Sequence, residues 1–369
     1  MPTEPIPLTA APAQRALDQP RVRRMLRYVI GVTLATAYSS YINWPFSFML
    51  VALVNALMVL PTPAPSLSFA TWTTAKLIGF TWFGALLMLP LHSHQMAGLA
   101  LVALILFATF YLQAQGQIAG LNAIFVIIGV TLVPAFGQDN MDVGIEFAKG
   151  LSQSALVLFP IIWITFAMLP AGVFPGLPNA PRVEGTSADR GILALRPVVV
   201  LMPLFVYMLG SDNNIRYLIG YFQPAMIAQH ANRATARKLA SDLFLSTLIG
   251  ASAGLVMWWL MKLWPSWFWF VLMMALFTSF FAMKIFADGP APLTPNYYRW
   301  SNGLSTLIFI VFPDALTQGF TGDDPNMKFY QRILDYALVT SYAVVAVLVY
   351  DGIVERLRAW HYRNRRSAA

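Results

Sequence analysis

Apolar runs near the length needed to cross a bilayer recur from Leu26 to Tyr350, separated by short polar or proline-rich breaks. A spanning helix takes about 20 mostly apolar residues. On that template the pattern predicts spans at 24–42, 46–61, 72–90, 96–113, 120–136 and 151–170. A second set follows at 193–210, 215–229, 239–262, 267–287, 300–313 and 333–351. Short matches relate the two sets in order. Leu26-Arg27 is echoed by Leu195-Arg196, Lys76-Leu77-Ile78-Gly79 by Thr247-Leu248-Ile249-Gly250, and Asn122 with Pro134 by Asn302 with Pro313. An even number of spans per repeat gives both halves one topology, related by an axis along the membrane normal. The expected fold is all-α: a polytopic membrane helix bundle of about twelve spans, built as two parallel six-span repeats. The expected organisation is a disordered cytoplasmic leader at 1–20, a first repeat at 21–170, a cytoplasmic linker at 171–192, a second repeat at 193–355 and a basic cytoplasmic tail at 356–369.

Composition narrows the class. Of the 369 residues, 58% are hydrophobic and 11% charged, whereas a soluble chain is about 25% charged. Nearly the whole chain is therefore membrane-embedded, and little remains for a soluble catalytic domain. The net charge of +8 would by itself suit nucleic acid or anionic lipid. In a membrane protein it reads instead as basic cytoplasmic loops, and no nucleic-acid partner is expected. With both termini inside, 19 of the 24 Lys and Arg fall on the cytoplasmic side, leaving Lys149, Arg216, Lys262, Lys328 and Arg332 outside. Arg21, Arg23, Arg24 and Arg27 followed by Ala35-Thr36-Ala37 have the look of a signal peptide. Retaining that segment as span 1 keeps the Arg356-to-Arg366 cluster inside, as the positive-inside rule requires. The absence of cysteine excludes disulfides, thiolate metal sites and Cys nucleophiles.

Spans 2 and 8 occupy equivalent places and are both short. Span 2 opens on Trp44-Pro45 and closes on Pro61-Thr62-Pro63; span 8 is interrupted at Gly220 and at Gln223-Pro224. Such paired, broken segments point to a substrate path, and they equally suit tilted helices whose prolines end them. The candidate path takes in Trp44, Pro45 and Asn55 of span 2 with Gln223 and Pro224 of span 8. Lys76 lies about one turn inside span 3, where an ammonium either snorkels to the interface or draws anions to an inner mouth. Asn122 and Asn302, on equivalent spans, either bond between helices or face the path. Gly79, Gly84, Gly250 and Gly254 allow close backbone approach, which in lipid favours packing. Asp242 and Asp351 are the candidates for charge coupling, and both stand near basic partners, Arg237 and Lys238 for the first, Arg356 and Arg358 for the second. No carboxylate falls at mid-membrane. His92 and His94 have no third ligand nearby, so no metal site is expected. No Ser-His-Asp arrangement, Walker loop, H-E-x-x-H or Gly-rich dinucleotide turn is present. The expectation is a chain that is not an enzyme and carries no cofactor, with an ATP-driven pump excluded unless a separate subunit supplies the nucleotide site.

A basic residue opening span 1 (Arg27), Trp44-Pro45 opening a short span 2, and Lys76 followed by Gly79 and Gly84 in span 3 together resemble the fusaric-acid-resistance and aromatic-acid exporter superfamily. The second half departs from that pattern, with Asn213-Asn214-Ile215 in place of Trp-Pro and Thr247 in place of the basic residue. The large cytosolic domain of many members has only residues 171–192 in its place. The resemblance implies export of small amphipathic organic anions, such as aromatic carboxylates, across a bacterial inner membrane. It also implies a periplasmic membrane-fusion protein and an outer-membrane channel as partners, beside membrane lipid. Homo-oligomers are open to such a bundle. The alternative from another class is a non-transporting membrane scaffold subunit of an efflux or secretion complex.

Overall fold

The computed structural model describes residues 10–60, 62–138, 140–170, 186–210, 233–287, 297–317, 334, 337–339 and 341–357. Every regular element among them is helical. The helices are α1 Ala10–Ile42, α2 Phe48–Met58, α3 Leu67–Ser93, α4 Gln95–Ala114 and α5 Gly120–Phe136. They continue with α6 Met141–Met168, α7 Ser187–Leu209, α8 Arg233–Leu263, α9 Trp267–Ile285, α10 Tyr297–Thr317 and α11 Ala337–Leu357. Seven of the described helices are long and apolar enough to cross a bilayer. Large apolar side chains such as Leu86, Leu104, Leu156 and Leu276 face outward on them, which suits hydrocarbon. The chain is a multi-pass membrane protein. Span 8, with Gln223 and Pro224, lies outside the described residues.

Several helices start earlier than expected, and for three of them a local reason is visible. α1 reaches back to Ala10, into the segment expected as a disordered leader. Its early residues are rich in Ala, the strongest helix former, and Pro12 falls in the first turn, where its missing N–H costs nothing. α6 begins at Met141 rather than 151, because the Asn140 side chain accepts the Asp142 N–H at 2.9 Å and Asp142 lies in the first turn, where the helix dipole favours an acid. α7 begins at Ser187 rather than 193, inside the expected linker. A capping box sets that start: Thr186 accepts the Asp189 N–H at 3.3 Å while Asp189 accepts the Thr186 N–H at 3.2 Å.

Within α5, residues Ile128–Leu132 form a π-turn and are entirely buried. Pro134 follows directly. A proline inside a helix has no N–H and crowds the carbonyl four residues back, here that of Val130, and a widened turn removes that clash.

The chain divides into two compact units. Unit 1 comprises Met1–Thr74, Gln153–Asn179 and Leu248–Asp323; unit 2 comprises Ala75–Ser152, Ala180–Thr247 and Asp324–Ala369. In unit 1, α1 packs on α2 and α9, and α10 packs on α9 and α2. α2 is short and enclosed, with Phe48, Leu50, Val51, Val54 and Asn55 all buried. α8 meets α10 at Gly250, where an added Cβ would run into the Gly303 carbonyl. In unit 2, α4 packs on α7 and α5, and α5 also touches α7. There α3 crosses α5 backbone to backbone: a Cβ on Gly84 would strike the Gly129 carbonyl, and one on Gly129 the Phe80 carbonyl. Gly84 and Gly250 thus serve packing, whereas Gly79 faces open space.

Candidate functional site

α1 carries Arg24, Arg27 and Tyr28 at i, i+3 and i+4, a spacing that puts all three on one helix face. In unit 1 this face turns inward. Arg24 and Arg27 are 5% and 4% exposed, and Tyr28 is fully buried. Each guanidinium meets the C-terminal end of another helix. Arg24 Nη2 donates to the carbonyl of Val59, the C-cap of α2, at 2.7 Å. Arg27 Nε donates to the carbonyl of Leu169, one residue beyond α6, at 2.9 Å. Neither α2 nor α6 has a basic residue in its own last turn, so the two arginines bring the positive charge that terminal carbonyls and the helix dipole favour.

Aromatic rings complete both settings. The Arg24 guanidinium carbon lies 4.7 Å from the Phe286 ring centre and that of Arg27 4.2 Å from the Phe166 ring centre. A hydrogen bond from a charged donor contributes about 1.5–3 kcal/mol and a desolvated cation–π contact about 2. Together these offset a burial penalty of several kcal/mol per ion. The described contacts of Arg27 end with Leu169 and Phe166, and no carboxylate among the described residues reaches it.

Behind the arginines, Tyr28 donates to Asn55 Oδ1 in a short hydrogen bond. Asn55 Nδ2 in turn donates to the Ser301 carbonyl at 3.2 Å and to Ser305 Oγ at 2.8 Å. Both ends of the Asn55 amide are thereby engaged, and the residue ties α1, α2 and α10 together. α10 begins at this end of unit 1 while α2, α6 and α9 finish there, and α1 passes it in mid-helix.

Unit 2 has its own buried guanidinium, in a different setting. Arg196 of α7 pairs with Asp351 of α11 at 2.6 Å, with side-chain exposures of 3% and 16%. The Tyr350 hydroxyl donates to the Ile192 carbonyl at 2.6 Å and the Tyr342 hydroxyl to the Val200 carbonyl at 3.1 Å, so three polar rungs join α7 to α11. Asp351 was expected beside Arg356 or Arg358; Arg196, on another helix, is a partner the structure adds, and Arg358 lies outside the described residues. Arg356 is five positions on, away from the i+3 and i+4 neighbours that share a face, and it is exposed.

The other expected path residues scatter. In unit 1, Asn302 is half-buried beside Ser301, with its Nδ2 buried and unpartnered among the described residues. Trp44, buried, meets Tyr38 edge-on at 5.8 Å; with exposed Pro45 it sits at the opposite end of α2 from Asn55. In unit 2, Lys76 is exposed on α3 with no polar partner among the described residues, Asn122 is half-buried and Asp242 is buried. The charge count places Arg24 and Arg27 only on the cytoplasmic side, at the start of span 1. Their i, i+3, i+4 register with Tyr28, and the match of Leu26-Arg27 to Leu195-Arg196, are the signals that mark them.

A family model described as "Protein of unknown function (DUF2955)" matches residues 24–165. The matched stretch opens at Arg24 and closes within α6, so it coincides with the first six expected spans. No curated protein and no solved structure matches the chain.

Proposed function

We propose that the protein is a bacterial inner-membrane transporter of the fusaric-acid-resistance and aromatic-acid exporter type, exporting small amphipathic organic anions beside a periplasmic membrane-fusion protein and an outer-membrane channel. One observation carries the reading: two guanidiniums are buried together at one end of unit 1, each over an aromatic ring. That chemistry suits a ligand with an anionic head and an aromatic body. It lies at the helix ends that the positive-inside count assigns to the cytoplasm.

The twelve-span duplication is part of the proposal, and the make-up of the units supports it. Unit 1 takes α1, α2, the start of α3 and the end of α6 from the first half, with the end of α8, α9 and α10 from the second. Unit 2 takes the complement, and the boundaries inside α3 and α8, Thr74/Ala75 and Thr247/Leu248, fall beside the aligned residues Lys76 and Thr247. A step of six spans converts most of one inventory into the other, the exception being that the start of α6 and the start of α11 both fall in unit 2. It also converts the α1–α9 packing into the α7–α4 packing, and α9–α10 into α4–α5. Each unit is thus read as a mixture of both repeats.

The test is export itself. Purified protein in liposomes should move benzoate down an imposed gradient, and cells lacking the protein should accumulate it. Lys76→Gln is expected to lower export by up to about fivefold, the effect of roughly 1 kcal/mol for one charge in water, while Lys76→Arg retains it. A reporter fused at Asp142 should lie outside. Inert liposomes would favour the scaffold reading, and a cytoplasmic signal at Asp142 would break the twelve-span topology.

A further inference from the structure

We propose that the Arg27 guanidinium is the docking point for the carboxylate of the exported aromatic acid, the place that its repeat partner Arg196 fills with the chain's own Asp351. The inference rests on the export reading and names the residue and the ligand group. Arg27 and Arg196 are matched by the Leu26-Arg27 and Leu195-Arg196 alignment. Each lies within the first helix of its half and reaches the last helix of the same half or the residue just past it, Leu169 after α6 for Arg27 and Asp351 of α11 for Arg196. In the second half that helix offers a carboxylate at 2.6 Å. In the first half it offers the Leu169 carbonyl, to Nε.

A single neutral carbonyl leaves the rest of the Arg27 fork unused. Nη1 and Nη2 make no hydrogen bond to a described residue, and this planar pair matches the two oxygens of a carboxylate. The fork is held in place from both sides, by the Leu169 carbonyl on Nε and by the Phe166 ring 4.2 Å from the guanidinium carbon, so little is lost in ordering it on binding. The rim is reachable: Phe166 and Leu169 are half-exposed and Pro170 is exposed. An aromatic acid would place its head on Nη1 and Nη2 and its ring against Phe166.

Equilibrium binding of radiolabelled benzoate to the purified full chain in nanodiscs tests this, with benzamide as the uncharged competitor. The wild type should bind benzoate saturably, and benzamide should not compete. Arg27→Gln should weaken binding at least tenfold and Arg27→Lys should recover part of it. Because Arg27→Gln also removes a helix-end contact, Leu169→Asp gives a second route. It leaves Arg27 in place and supplies a carboxylate where the other half has Asp351, and it should abolish binding while Leu169→Asn preserves it. Absence of saturable binding to the wild type, or unchanged affinity in folded Arg27→Gln and Leu169→Asp, overturns the proposal. Parallel efflux measurements separate the two readings. Wild-type export untouched by both variants removes the Arg27 site and leaves the exporter; binding that is lost in both variants, without any wild-type export, does the reverse.

Discussion

Asp351→Leu is expected to destabilise the protein by about 3–5 kcal/mol, because it leaves the Arg196 guanidinium buried without its counter-charge. The reverse substitution, Arg196→Met, should cost less, since the Asp351 carboxylate is the more exposed partner and meets water when released. Combining the two should return most of the loss, a buried pair replaced by apolar side chains being often neutral. The midpoint of unfolding in mixed detergent micelles measures all three. Additive losses in the double variant would show that the pair is not coupled, and that Tyr342 and Tyr350 hold α7 to α11 by themselves.

Gly84→Ala is expected to disrupt unit 2, although it adds a single methyl group. That methyl would meet the carbonyl of Gly129, a backbone atom that no side-chain rotation can withdraw. The α3–α5 crossing must open, and overpacking of this kind costs about 1–3 kcal/mol or more. Gly250→Ala should do the same in unit 1 against the Gly303 carbonyl. Gly79→Ala is the control on the same helix as Gly84: nothing lies within 4 Å of its added Cβ, and exchanging a helical glycine for alanine stabilises by roughly 0.5–1 kcal/mol. The yield of monodisperse protein and the unfolding midpoint should fall for the first two and hold or rise for the third. Equal behaviour of Gly79→Ala and Gly84→Ala would refute the close crossing.

Hydropathy located the helices because it is a local property. α4 at Gln95–Ala114 stands within a residue of the expected 96–113. It failed where charge and helicity coexist: Asp142, Glu146 and Lys149 lowered the hydropathy ahead of 151, yet they ride the exposed face of α6. Thr186 and Asp189 carried a readable capping signal that a search for apolar runs passes over. The site was harder still. Arg24 was counted only among the cytoplasmic cations, and one of its partners, the Val59 carbonyl, is set by how α2 ends. Arg27 depends on Leu169, 142 positions away, and Arg196 on Asp351, 155 away. No local pattern encodes such meetings; the short match of Leu26-Arg27 to Leu195-Arg196 hinted that the two arginines are comparable, without naming their partners. Asn55 was expected to face a path and instead spends its amide holding three helices together.

The Asn55 hydrogen bonds to α10 also bear on how the protein is made. Asn55 and Ser305 are 250 positions apart, and a ribosome adding about 5–20 residues per second needs roughly 10–50 s to cover that distance. Through that interval α2, with its polar amide and only about three turns of helix, waits in the translocation machinery or the bilayer without the helix that satisfies it. The amino-terminal half, released alone, would leave the Asn55 Nδ2 without its acceptors Ser301 and Ser305 and Phe48 without its ring contact to Phe309. The amino-terminal half is therefore expected to be retained until the carboxy-terminal half arrives. Separately expressed halves would be expected to survive quality control only when both are present in the same membrane.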